Sequence, residues 1–127
     1  MKHTVKMALE RSDTIILTGG LGPTQDDLTK EVVAQVLGME LVEDAHTHRR
    51  IEEYMENYAK NNPNRKITDN NWKQAMVPKG AIVLDNANGT APGLILEKNG
   101  KTAILLPGPP NELKPMFEEQ VYPYLIK

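Results

Sequence analysis

The order apolar run, glycine turn, helix occurs twice in this chain, and it constrains the fold more than any other feature. In the first instance "TIILT" (Thr14–Thr18) runs into Gly19, Gly20 and Gly22. From Asp26 onward, Leu28, Val32, Val33, Val36 and Leu37 then fall on one helical face, and Gly38 supplies a stop. In the second, "TAILL" (Thr102–Leu106) meets "PGPP" (Pro107–Pro110), after which Leu113, Met116, Phe117, Val121 and Leu125 support a closing helix. Parallel strands that feed helices are buried on both faces and place their turns at the C-terminal edge of a sheet, where open α/β folds bind ligands. The pattern predicts an α/β fold in which Thr14–Thr18 is covered on both sides and the two turns face one crevice.

The other segments fit around that frame. A helix is already under way over Lys2–Arg11, with Val5, Ala8 and Leu9 at helical spacing. A charged peripheral helix is expected from Asp44 to Asn61, with a stripe of Ile51, Tyr54, Met55 and Tyr58, ended by "NNPN" (Asn61–Asn64). "TDNNWKQAMVP" reads as a short helix capped by Thr68 or Asp69 and stopped before Pro78. Strands follow at "AIVL" and "GLILE", and Asn99-Gly100 is the pair expected of a tight hairpin between "GLILE" and "TAILL".

Composition narrows the function classes. The chain has 127 residues, 39% hydrophobic and 25% charged, with a net charge of −2. That is ordinary for one globular domain, and no basic stripe invites a nucleic acid. There is no cysteine, hence no thiolate chemistry, and no apolar run of membrane-spanning length, so the cytoplasm is the expected setting and no membrane partner is expected.

The first turn carries the candidate chemistry. Gly20 and Gly22 can adopt positive φ and let backbone N–H groups approach an anion, so a phosphate cradle and a plain tight turn both fit the glycines. Thr24 and Asp27 have capping-box spacing. Asp26 can pair with Lys30, but Asp27 faces Glu31 at i,i+4, a repulsion that a hard divalent ion would relieve; a metal site and a solvated carboxylate pair both fit these residues. His46 and His48 lie two apart on a polar segment with no third ligand near, and read as solvated surface. "DNANG" (Asp85–Gly89) lacks the ligands of a calcium loop and reads as a turn, while Tyr54, Tyr58 and Trp72 read as packing residues.

"TGGLGPTQDDLTKE", "NNWKQAMVPKGAIVLDN", "GTAPG" and "LLPGPPNELKPMF" together resemble the N-terminal domain of the CinA family of competence- and damage-inducible proteins, within the molybdopterin-binding fold shared with MogA and MoeA. The resemblance runs in order over essentially the whole chain, 1–127, and implies a three-layer α/β sandwich with a mostly parallel sheet. Gly19, Gly20, Asp27 and Thr29 match the superfamily's first motif, and Pro107, Gly108 and Pro110 its second turn. The fuller "GGLGPT.DD.T" and "PGPP.E" patterns bring Gly22, Pro23, Thr24, Asp26, Pro109 and Glu112 into the expected ligand site.

The resemblance implies a phosphorylated nucleotide or pterin as ligand, Asp27 as the catalytic residue, and a divalent metal, by expectation magnesium, on Asp27 with Glu31. CinA-type domains resemble metal-dependent pyrophosphatases acting on ADP-ribose. Molybdopterin binding or adenylylation is the second reading, and a non-catalytic, ligand-binding or self-associating remnant the third. Trp72 stands where many relatives have Arg. The family's opening strand, helix and strand have no counterpart here, nor does the C-terminal deamidase domain of many relatives. A sheet so shortened is expected to expose an edge and apolar surface, and to pair as a homodimer.

Overall fold

The computed structural model describes residues 2–21, 28–61 and 69–126, apart from the side chains of residues 58, 59, 61 and 69–71. Its elements run α1 (Lys2–Arg11), β1 (Thr14–Thr18), α2 (Thr29–Leu37), β2 (Leu41–Glu43), α3 (Ala45–Asn61), a 3₁₀ segment (Asp69–Ala75), β3 (Met76–Pro78), β4 (Ile82–Leu84), β5 (Gly93–Lys98), β6 (Lys101–Leu106) and α4 (Pro110–Met116). A π-helical turn (Phe117–Val121) and α5 (Tyr122–Leu125) complete the C-terminal helical run.

The main sheet has the order β1-β6-β5-β4. β1 and β6, the two strands that feed glycine turns, are parallel and in register from Thr14↔Thr102 to Thr18↔Leu106. β5 is antiparallel to both β6 and β4, so among the described residues parallel pairing is confined to β1·β6. The β5–β6 connection is the expected tight hairpin, with Asn99 (φ 54°) and Gly100 (φ 77°) both left-handed as a type I′ turn requires.

Alternation along β5 and β6 builds two cores. Leu94, Leu96, Ala103 and Leu105 point to one face, where Val5 and Leu9 of α1 and Val33 of α2 cover them. Ile95, Ile104 and Leu106 point to the other, against Met116 and Val121 of the C-terminal helices. Helices on both faces make the three layers. Gly93 lets that second layer approach: a Cβ there would collide with the Met116 sulfur and lie 3.1 Å from the Leu105 carbonyl oxygen.

Several sequence expectations need correction. β1 is not covered on both faces: it lies at the end of the sheet, Ile15 and Leu17 pack on the first core, and Ile16 is 49% exposed on the opposite side. α2 begins at Thr29 rather than Asp26, which leaves Leu28 as an exposed flanking residue; its C-terminus is as expected, with Gly38 left-handed and Met39 N–H bonded to Ala34 O at 2.8 Å. "AMVP" does not continue a helix: Met76–Pro78 pairs antiparallel with Leu41–Glu43 in a small second sheet that periodicity did not suggest. Leu125 is exposed instead of closing the core. The turn at 62–64, the cap at Thr68 and the side chain of Tyr58 lie outside the described residues. Among the described residues no helix is long and apolar enough to cross a membrane.

Candidate functional site

The two glycine turns meet. Gly19 N–H bonds to Leu106 O at 2.9 Å, which ties the end of β1 to the end of β6, and the Cβ position of Gly108 lies 3.4 Å from Gly19 Cα. Gly19 and Gly20 take φ of 86° and 72°, a conformation that favours glycine. Gly108 does not have positive φ, so what it supplies is close approach to the first turn.

Beneath the first turn sits Thr29, which is buried, with its N–H bonded to Gly20 O at 3.2 Å and its Oγ1 where a Gly20 side chain would go. Thr29 thus holds the turn's shape from below. Gly22, Pro23, Thr24, Asp26 and Asp27 lie outside the described residues.

In the second turn Pro107 and Pro109 flank Gly108, and Pro110 opens α4, where a missing N–H costs nothing. Glu112, the third residue of that helix, is held from a loop that sequence reasoning left as a plain turn. Asn86 is 2% exposed; its Nδ2 donates to Glu112 Oε1 at 2.7 Å and to Ala91 O at 2.9 Å, and its Oδ1 accepts from Asn88 N–H at 3.0 Å. Asn88 Nδ2 reaches Asn111 O at 2.6 Å. Gly89 leaves room for the carboxylate, because a Cβ there would collide with Glu112 Oε1. An Asn–x–Asn–Gly turn is the sequence signal for this clasp, since Asx side chains bond backbone two residues on; its long-range partner, Glu112, has no local signature.

A third wall comes from α3 and the 3₁₀ segment, joined through Ile51, Met55, Ala75 and Trp72. From it Tyr54 and Gln74 line the cleft; Tyr54 is 48% exposed, contrary to its reading as packing. The three walls enclose a cleft of about 480 Å³ that includes Gly19, Gly20, Gly108, Gly89 and Glu112. A recess of about 80 Å³, reaching Arg50, shares Tyr54, Gly89 and Thr90 with it.

The charges at the start of α2 also meet the 3₁₀ segment, while the expected pairings with Asp26 and Asp27 lie outside the described residues. Lys30 is buried, its Nζ donating to Lys73 O at 2.6 Å, and burial pushes its pKa down to about 8 against an opposing pull from Glu31. Glu31 Oε1 lies 3.7 Å from Lys73 Nζ, while its Oε2 is buried without a hydrogen-bond partner among the described residues. The histidines are not simply solvated: His46 pairs with Asp85 at 2.9 Å, and His48 contacts Glu43 at 2.9 Å and stacks on Trp72 with ring centroids 4.4 Å apart. Among the described residues no cluster of three or more His, Cys, Asp or Glu could hold a metal.

Comparison with known proteins agrees with this architecture. The family model described as "Probable molybdopterin binding domain" matches residues 1–127. A competence-damage inducible protein of Caldicellulosiruptor bescii is 57% identical over 127 residues, all of this chain and 30% of the relative. The CinA-like protein of Kosmotoga olearia is 52% identical over 120 residues, 94% of this chain and 28% of the relative. The chain thus spans under a third of the length of these relatives. The crystal structure of CinA from Thermoplasma acidophilum, described as of unknown function, superposes with a TM-score of 0.80 at 34% identity, covering 96% of this chain and 68% of that one.

Proposed function

We propose, from the premise that this chain belongs to the probable molybdopterin binding domain family and to its CinA-like members, that it binds a phosphorylated nucleotide or pterin between its two glycine turns and hydrolyses a pyrophosphate such as that of ADP-ribose. The observation that carries the reading is the shared cleft: both turns, at the C-terminal ends of the parallel pair β1·β6, line one concavity of about 480 Å³. That volume lies in the range of about 300–1,000 Å³ usual for small-molecule sites, and the position is where ligands bind in open α/β sheets.

In this reading the backbone at Gly19 and Gly20, bare of Cβ atoms, admits a phosphate close to the N-terminus of α2, where the helix dipole favours negative charge. Glu112, fixed by Asn86, is an oriented acceptor on the opposite side for ligand hydroxyl or amino groups. Asp27 would hold a divalent ion with Glu31, whose buried oxygen, without a hydrogen-bond partner among the described residues, is a hard donor of the kind magnesium takes. One or two protein carboxylates suffice, because magnesium takes much of its coordination from phosphates and water. Such an ion, when bound, polarises a phosphoryl oxygen and makes water a better nucleophile. Lys73, 3.7 Å from Glu31 Oε1, holds that carboxylate in place.

The test is incubation with ADP-ribose and magnesium or manganese, followed by separation of the products. Water attack on the pyrophosphate gives AMP and ribose 5-phosphate. Asp27→Asn is expected to abolish metal-dependent release while the protein remains folded. No release by folded wild-type protein, or unchanged metal-dependent release by the variant, contradicts the assignment. Adenylyl transfer from ATP to a pterin is the corresponding assay for the pterin ligand.

A further inference from the structure

We infer that Lys30 is a positioning residue of this cleft: its buried ammonium fastens the start of α2, on which the first glycine turn rests, to the 3₁₀ segment, which with α3 forms another wall. The inference rests on the proposal that the cleft binds a phosphorylated ligand, and it adds what fixes two of the walls relative to each other.

The connection runs residue by residue. Thr29 N–H bonds to Gly20 O at 3.2 Å and Thr29 Oγ1 lies where a Gly20 side chain would go, so the first turn moves with the start of α2. Lys30, next in the chain and 5% exposed, donates from Nζ to Lys73 O at 2.6 Å. Glu31 Oε1, 3.7 Å from Lys73 Nζ, makes a second contact between the same two segments. Beyond that junction Gln74 follows Lys73 and lines the cleft, and Ala75 packs with Ile51 and Met55 of α3, the helix that places Tyr54 in the lining. A shift of the Lys73 carbonyl therefore reaches both lining residues.

Stability does not explain why a lysine stands here. Taking an ammonium out of water is costly, and burial is the largest influence on Lys30, lowering its pKa to about 8. An apolar side chain of similar length, such as methionine, would avoid that cost. What methionine lacks is direction. A buried hydrogen bond from a charged group holds its acceptor at one distance and angle, whereas an apolar contact tolerates sliding.

The experiment is calorimetric titration, with magnesium present, of the wild-type protein and its Lys30 variants with α,β-methylene-ADP and with methylenediphosphonate. Neither ligand can be hydrolysed at the bridge between its phosphorus atoms. The nucleotide is long enough to reach from the turns to the α3 wall, and the diphosphonate is short enough to be held at the turns alone. In Lys30→Met the nucleotide is expected to bind about tenfold more weakly, the worth of one hydrogen bond from a charged group, with the diphosphonate changed by less than about twofold. Loss of positive charge alone would weaken the two ligands alike, because they carry similar charge. Lys30→Gln is uncharged but keeps an N–H donor, and should recover most of the nucleotide affinity. Equal losses for the two ligands, wild-type affinity for both in folded Lys30→Met, or a Lys30→Gln protein no better than Lys30→Met overturns the inference while leaving the phosphate site standing. Should Lys30→Met not fold, Lys30→Gln decides by itself: wild-type affinity for both ligands supports the inference, and weakened diphosphonate binding overturns it. Failure of both ligands to bind the wild-type protein overturns the reading of the cleft, and this inference with it.

Discussion

Replacing Gly20 by Ala tests how the first turn is built. Gly20 has φ 72°, and the added methyl would collide with Thr29 Oγ1 and lie 3.0 Å from Thr29 Cβ. Left-handed backbone costs an L-residue about 1–2 kcal/mol, and forcing a methyl into a filled site adds about 1–3 kcal/mol. The sum is a loss of about 2–5 kcal/mol, a large fraction of the stability of an ordinary domain. Thr29→Ala removes the colliding oxygen, so the double variant should be less destabilised than the sum of the single ones, by about 1–2 kcal/mol of coupling. Urea unfolding followed by circular dichroism measures each corner of the cycle, with an unchanged m-value as the check that the states compared are the same. A Gly20→Ala protein within about 0.5 kcal/mol of wild type, or strict additivity with Thr29→Ala, refutes the packing of this turn on Thr29.

Lys30 supplies a pH prediction. Burial lowers its pKa from 10.5 to about 8, so between those values the unfolded chain holds the proton that the folded one has lost. Stability from this group therefore rises with pH over that window, by up to about 3 kcal/mol, and the rise should be missing in Lys30→Met when unfolding is compared from pH 7.5 to 10.5. Asn86→Asp removes a donor and sets a second carboxyl against Glu112, a loss of about 2–4 kcal/mol at neutral pH that should shrink as pH falls through the carboxylate range; a penalty independent of pH would show that the clasp is not formed. Gly108→Val should weaken inorganic pyrophosphate binding in a calorimetric titration by crowding Gly19, with equal affinity at unchanged stability counting against the contact.

The features legible in the sequence are those carried by local patterns. Short continuous apolar runs located β5 and β6, Asn99-Gly100 located their hairpin, and the strand–turn–helix order placed both glycine turns on one cleft. What was not legible depended on partners distant in the chain. Leu41–Glu43 and Met76–Pro78 are three-residue strands, too short to show alternation, and each exists through the other. Thr14–Thr18 reads as wholly buried because its composition is apolar, yet Ile16 owes its exposure to the strand's place at the end of the sheet. Asn86 looked like a turn former, which it is, but its bonds to Glu112 and Ala91 make it the keystone of one cleft wall. His48 is partnered by Glu43 and Trp72, the latter 24 residues away in a segment with no helical phase relation to it. Tyr54 and Gln74 had no motif of their own; their place in the cleft comes from the docking of α3 on the 3₁₀ segment.

The central claim, that both glycine turns bind one phosphorylated ligand, is tested most directly by amide NMR of the isotopically labelled protein during titration with ADP-ribose. The account predicts saturable shifts, with one dissociation constant, at the N–H groups of Gly19, Gly20, Gly89 and Gly108. Shifts confined to one turn, shifts elsewhere with these four amides unmoved, or no saturable change at all would contradict it.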